Sequence, residues 1–169
     1  MSDIETDRLL LRIPESADAA PLLRIHEDPE AIGRVQMTAP PGGLVTAWRN
    51  VAYMVGHWHL RGFGEWSVVE RATGEVIGRV GFNYPDGAET VALGWIIRTD
   101  RWGRRFASEA AQAALGWIWP NTSLSLVTST IAADNIASIR IAEHLGGVKC
   151  DRMTTEDKNS VMYQYTRPL

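Results

Sequence analysis

The sequence predicts an α+β fold, on three observations. Between Trp66 and Ile97, three β-rich runs succeed one another across short turns, which reads as an antiparallel meander. After the meander the pattern alternates helix, strand, helix, strand. Before it, two helix-type segments follow a single strand. The resulting order, β-α-α-β-β-β-α-β-α-β-β, excludes both a barrel and a doubly wound sheet.

Each element has a local reason. Arg8 to Ile13 is short, apolar and ends before Pro14, as a strand does. Asp18 to His26 places Ala19, Leu22 and Leu23 at helical spacing, and this helix is expected to end near Pro29. Ala39 to Gly43 is a loop by composition. Val45 to His59 reads as a helix with Trp48, Ala52, Val55 and His59 on one face. The meander comprises Trp66–Glu70, Glu75–Phe82 and Thr90–Ile97, with turns at Arg71–Gly74 and Tyr84–Gly87. A helix from about Arg104 to Trp119 is expected to stop at Pro120. Leu124 to Ile131 is β-rich. Asp134 or Asn135 caps the helix Ile136–Leu145, and Gly146-Gly147 ends it. Val148–Met153 and Val161–Thr166 form a closing strand pair.

The 169 residues fit one domain, 1–169, with a sizeable core. A net charge of −3 gives no global reason to expect nucleic acid or an anionic membrane as partner. The single cysteine, Cys150, cannot form an internal disulfide and reads as a small hydrophobe. The start shows no basic and apolar targeting segment, and the longest apolar run, Ala110 to Trp119, is too short to span a bilayer, so a cytoplasmic location is expected. Seven tryptophans are many for this length; Trp48, Trp58 and Trp66 are assigned to the core first and to an acceptor pocket second. The histidines His57, His59 and His144 have no metal-ligand spacing, so no metal is expected.

The most informative stretch is Gly94 to Ala110. An apolar strand feeds a short basic loop containing Gly103, and the loop opens an alanine-rich helix. The first N–H groups of a helix lack intrahelical acceptors and sit at the positive end of its dipole, so they favour a bound phosphate. Arg98, Arg101, Arg104 and Arg105 crowd the same place. Arg101 reads as a solvated loop residue, whereas Arg104 and Arg105 oppose the dipole unless an anion is present. The stretch is a diphosphate cradle in outline and suggests a nucleotide-bearing cofactor.

Four segments in order carry a family resemblance: Thr6–Arg12, Thr73–Gly78, Trp102–Ala110, and Asn135–Ser138 through His144–Gly147. Together they resemble the GNAT-superfamily N-acetyltransferases, of the Rim-type branch that includes ribosomal-protein N-terminal acetyltransferases. The match extends over nearly the whole chain. It implies a mixed, mostly antiparallel sheet splayed into a V, with helices on both faces. It also implies acetyl-CoA as cosubstrate and direct transfer of acetyl to a primary amine, either a protein N-terminal α-amine or a small-molecule amine. The pantetheine arm is then expected along the strand at Ile96, Ile97 and Arg98. The diphosphate is expected on Gly103, Arg104, Arg105, Phe106, Ala107 and Ser108. Asn135 and Ser138 are expected to touch the arm or order the cleft. For catalysis the resemblance leaves the backbone amide of Ile97 as oxyanion donor and Ser138 as a side-chain candidate, with no general base assigned.

Three positions depart from the family pattern. Arg105 stands where a second glycine is usual; an arginine there can still offer its amide if the local backbone is helical. Ala92 stands where many relatives carry a glutamate, and Ala142 where many carry a tyrosine. Glu89, the nearest carboxylate, has the wrong strand parity to replace the former. These losses give weight to a catalytically silent acyl-CoA-binding module as the alternative; an RNA-binding module is a weaker one, because the arginines are local and the chain is acidic. Residues Ile32–Gly64 and Thr154–Ser160 are expected to wall the acceptor pocket. The last strands and exposed tryptophans could serve a homodimer, which the sequence does not require.

Overall fold

The computed structural model describes residues 3–35, 42–150 and 159–168. Its strands are β1 (Ile4–Glu5), β2 (Leu9–Arg12), β3 (Glu65–Glu70), β4 (Glu75–Asn83), β5 (Ala92–Ile97), β6 (Leu126–Ala132), β7 (Val148–Cys150) and β8 (Ser160–Thr166). They form one sheet in the order β1-β2-β3-β4-β5-β6-β8-β7. The helices are α1 (Ala19–His26), α2 (Pro29–Val35), α3 (Gly43–Arg61), α4 (Phe106–Asn121) and α5 (Ile136–His144). The fold is the expected α+β one, a mixed sheet covered on both faces.

Strand alternation divides the core in two. Ile96 joins α1, α2 and α3 through Leu22, Ile25, Ala31, Ala47, Val51 and Met54. Its neighbour Ile97 points the other way, into a larger core with Phe106, Ala110, Ala114 and Ile118 of α4. Trp58, Trp66 and Trp117 close one end of that core in edge-to-face contact, with Trp58 and Trp66 centroids 4.8 Å apart.

One feature positions the cleft. Strands β1 to β5 are joined antiparallel, and so are β6, β8 and β7, but β5 and β6 run parallel and share a single registered pair, Ala92 with Thr128. Beyond it the two strands diverge.

Several boundaries differ from the sequence reading, each for a local reason. Pro29 begins a helix rather than ending one: it takes the first helical position, where its missing N–H costs nothing, and Asp28 Oδ1 accepts the Glu30 amide at 2.9 Å as the cap. Pro120 does not stop α4, which runs one residue further; the side chains of Asn121 and Thr122 take over the carbonyls of Trp117 and Ile118, at 2.8 Å each. Helix α4 starts at Phe106, two residues later than expected. Trp48 is not a core residue: it is 52% exposed, and its indole N–H donates to Ser16 Oγ at 3.1 Å. Strand β5 starts at Ala92, so Glu89 lies in an exposed bend where strand parity does not apply. Cys150 is half-buried. The expected loop at 39–41, the far end of the closing strand at 151–153, and parts of both expected acceptor walls lie outside the described residues.

Candidate active site

Backbone direction along β5 follows from one bond. Arg98 N–H donates to Ile77 O at 2.8 Å, and these two residues stand opposite each other in the β4–β5 register. In an antiparallel pair such bonds recur at every second residue. The backbone groups of Ile96 and Gly94 therefore also face β4, while those of Leu93, Trp95 and Ile97 face β6. Leu93 O accepts from Ser129 Oγ at 2.8 Å, close to the Ala92–Thr128 pair. Further along, where the strands have parted, the N–H groups of Trp95 and Ile97 point into the gap. Ile97 O accepts Trp102 Nε1 at 2.7 Å.

The start of α4 opens into the same gap. Glu109 N–H is the first in the helix to find a backbone acceptor, Arg105 O at 3.0 Å. The amides of Phe106, Ala107 and Ser108 precede it without intrahelical partners, and no side chain caps them. All three residues line a cleft of about 770 Å³ together with Trp95, Ile96, Ile97, Gly103, Arg105, Asn135 and Ser138. Arg101, Arg140 and His144 complete a basic wall, and among the described residues no carboxylate lines the cavity. A diphosphate suits this place: free amides, a helix dipole and guanidinium groups converge on it.

The loop into α4 is bent by two residues in the left-handed region, Gly103 (φ 73°) and Arg105 (φ 64°). Arg105 is the one non-glycine residue at positive φ among the described residues. The helical conformation that would have excused an arginine here is thus corrected: its backbone has the shape that glycine adopts freely, and an L side chain pays about 1–2 kcal/mol for it.

The four arginines divide into two pairs. Arg98 and Arg101 belong to an acidic network: Arg98 binds Asp100 at 2.6 Å and Glu75 at 2.9 Å, and Arg101 binds Glu70 at 3.0 Å, Glu75 at 2.9 Å and Asp100 at 2.6 Å. Arg101 is therefore no solvated loop residue. Burial pushes the Glu70 carboxyl up, but the bonds from Arg101 and Thr73 together with the nearby arginine charges outweigh it and hold the carboxyl below its usual range. Arg98 stands outside the cleft lining, with both its N–H and its guanidinium committed elsewhere. Arg104 is exposed and also outside the lining; its carbonyl accepts Arg8 Nη1 at 3.0 Å. Arg105 alone of the two points to the cleft, exposed and with no ion pair among the described residues.

Helix α5 forms the opposite bank. Asn135 is its cap: Oδ1 accepts the Ser138 amide at 3.1 Å. Ala137, Ser138, Arg140, Ile141 and His144 present one helical face to the cleft. Ala142 lies on the other face, fully buried, where its methyl group offers no proton. Sequence reasoning missed Trp95, Trp102, Arg140 and Ile141; their three-and-four spacing on α5 and alternation on β5 were legible, but not which face would meet the gap.

Two histidines have fixed settings. His57 Nε2 accepts the Tyr84 amide at 2.9 Å, so Nδ1 carries the proton and donates to Phe63 O at 2.8 Å. His26 is buried, and its Nε2 has no hydrogen-bond partner. Burial, aided by the charge of Arg79, lowers its pKa to about 4.

The sheet that parts between β5 and β6, with the start of α4 open to the gap, is the fold of an acetyltransferase family. The chain belongs to the GNAT acetyltransferase family: residues 8–148 match the family model described as an acetyltransferase (GNAT) domain. Among its relatives is the N-acetyltransferase p20 of Bacillus licheniformis, 31% identical over 147 residues, which are 86% of this chain and 82% of that one. A solved acetyltransferase of Agrobacterium tumefaciens superposes with a TM-score of 0.85 at 27% identity, covering 98% of this chain and 94% of that one. The ribosomal L7/L12 α-N-protein acetyltransferase RimL, solved with coenzyme A, has the same fold at 16% identity, with a TM-score of 0.82 and 97% of each chain covered. No helix among the described residues is long and apolar enough to cross a membrane.

Proposed function

We propose that residues 1–169 act as one catalytic domain that moves an acetyl group from acetyl-CoA directly to a primary amine of low basicity. The carrying observation is the convergence of two donor sets in one cleft: the Trp95 and Ile97 amides on the parted strand, and the Phe106–Ser108 amides at the helix start. Phe106, Ala107, Ser108 and Arg105 hold the diphosphate. The Trp95 and Ile97 backbone pairs with the amide-bearing pantetheine arm, and Ile97 N–H meets the oxygen that becomes negative as the amine adds. Asn135 and Ser138 flank the thioester.

The acceptor class follows from the missing base. An amine must be neutral to attack. At pH 7 this costs about 1 kcal/mol for an α-amine and about 4.6 kcal/mol for a lysine. Ala92 supplies no carboxylate on β5, and among the described residues none lines the cleft. A water chain manages the smaller cost. An α-amine, as in the Rim-type branch, or a small amine of similar pKa is therefore the acceptor.

The test is release of free thiol from acetyl-CoA on adding peptides with free N-termini, polyamines or aminoglycosides, with N-terminally blocked lysine peptides for contrast. Transfer to α-amines or small amines is expected. Thermal stabilisation by CoA with no thiol release from any amine would favour the silent acyl-CoA-binding module, and efficient acetylation of internal lysine alone would refute the low-basicity acceptor.

A further inference from the structure

Helix α2 has little of its own to hold it. It is seven residues long, short of the roughly 12–15 at which an isolated helix persists in water. Among its described side chains only Ala31 is buried, so its packing rests on one methyl group. Its place is nonetheless at the cleft. It packs against both β5 and β6, the two strands that part. Ala31 shares a core with Ile96, and both residues line the cleft.

One carboxylate ties this helix down. Asp28 stands between α1 and α2. Its amide donates to Ile25 O at 3.4 Å, and its carbonyl accepts the Ile32 amide at 3.0 Å. Its two carboxylate oxygens have different partners. Oδ1 accepts the Glu30 amide at 2.9 Å and the Ala31 amide at 3.4 Å, which caps the helix. Oδ2 accepts Thr99 Oγ1 at 2.6 Å, across 71 residues of chain. Thr99 follows β5 in the turn that leads to Gly103 and Arg105. Its carbonyl accepts the Trp102 amide at 3.0 Å, and Trp102 lines the cleft. The bond from Thr99 is the chief cause that holds the Asp28 carboxyl below its usual range; it prevails over desolvation, and the Glu30 and Ala31 amides add to it.

We propose that Asp28 is a positioning residue for the cosubstrate: through Thr99 it holds α2 in place as a wall of the cleft. The inference rests on the acetyl-CoA reading above. A cap alone keeps a short helix from fraying but does not fix it to the sheet. The Thr99 bond supplies a fixed point just past the end of β5, the strand along which the pantetheine arm is placed. The buried methyl group of Ala31 is a weak substitute, because apolar stabilisation scales with the area covered. With the bond broken, α2 opens more often and the cleft loses one side.

The experiment compares the wild type with three variants. Thr99→Val keeps the shape and removes the hydroxyl. Asp28→Ser keeps a capping oxygen that is too short to reach Thr99. Thr99→Ser keeps the bond. Two quantities are read: CoA affinity by calorimetry, and deuterium exchange at the amides of residues 32–35. In Thr99→Val and Asp28→Ser the exchange should quicken about tenfold or more, as loss of a hydrogen bond to a charged group implies. CoA affinity should fall about fivefold in both, the low end of ordinary coupling between sites. Thr99→Ser should match the wild type in both quantities. Faster exchange with unchanged CoA affinity would show that α2 is held but is no wall. Weaker CoA binding with unchanged exchange would place the effect in the loop before α4. Either result overturns the proposal, as does no change in either quantity, and each leaves the acetyl-CoA reading intact. A wild type that binds no CoA would overturn that reading and this inference with it.

Discussion

Arg8 and Glu109 meet across 101 residues of chain: Arg8 Nε donates to the Glu109 carboxylate at 2.8 Å, and the Arg8 amide donates to it at 3.2 Å. Thr6 Oγ1 adds a third donor at 2.6 Å. Glu109 sits in the first turn of α4, where a carboxylate would compete with a bound phosphate. Here its charge is taken up by the edge of the sheet. Two separated segments of the family pattern, Thr6–Arg12 and Trp102–Ala110, are thus one physical unit. Burial raises the Glu109 carboxyl, but the bonds from Thr6 and Arg8 prevail and hold it below its usual range.

Glu109→Ala should lower stability by about 1–3 kcal/mol, the usual cost of losing hydrogen bonds to a charged group. It should also weaken acetyl-CoA binding, because the helix start loses its anchor. Urea denaturation and calorimetry check the two effects separately.

Arg105→Gly should raise the melting temperature, by the equivalent of about 1 kcal/mol, through relief of the left-handed backbone. It should at the same time weaken CoA binding, since an unpaired guanidinium leaves the cleft. Arg105→Asn, which tolerates the same backbone without the charge, should behave alike in affinity. Tighter binding in both variants would show that the arginine only crowds the loop.

The order of elements and most of the cleft were legible in the sequence because they rest on period and punctuation. The meander is written in β-rich runs and short turns, and the α4 start in a strand, a glycine and an alanine-rich run. The misses at the arginines depend on side chains from distant segments that no local pattern encodes; those at the prolines lie in neighbouring residues. Arg98 and Arg101 looked like phosphate ligands or solvated residues until Glu70 and Glu75 arrived from β3 and β4 to join Asp100 of their own loop. Arg105 hides a glycine-type backbone. Pro29 and Pro120 looked like stops, yet their neighbours supply a cap and replacement donors.

His26 should make the protein less stable as pH falls from about 6.5 toward 4. In the folded state the buried ring stays neutral down to a pKa of about 4, whereas the unfolded chain takes up a proton from about 6.5 downward. The unfolded state thus binds more protons in this window, and the loss reaches at most roughly 3 kcal/mol. His26→Leu should flatten this part of the pH–stability curve, as followed by denaturant midpoints between pH 4 and 7.5.

Arg101→Met should loosen the loop that carries Gly103 and Arg105, because Glu70, Glu75 and Asp100 are left without their shared partner. The expected outcome is a loss of about 1–3 kcal/mol, chiefly from the well-covered Glu70 carboxylate. Part of it should return in the double variant Arg101→Met with Glu70→Gln. A double-mutant cycle on urea midpoints reads the coupling.

The single registered pair of Ala92 with Thr128 also makes the sheet a mechanical object. Two ribbons, one of five strands and one of three, are joined in register at one rung. Deuterium should enter the amides of Trp95 and Ile97 quickly in the empty protein, while the rungs on either side stay protected. A bound cosubstrate that bridges the fork would stitch the ribbons together, so slowing of exchange would spread into both from the same seam.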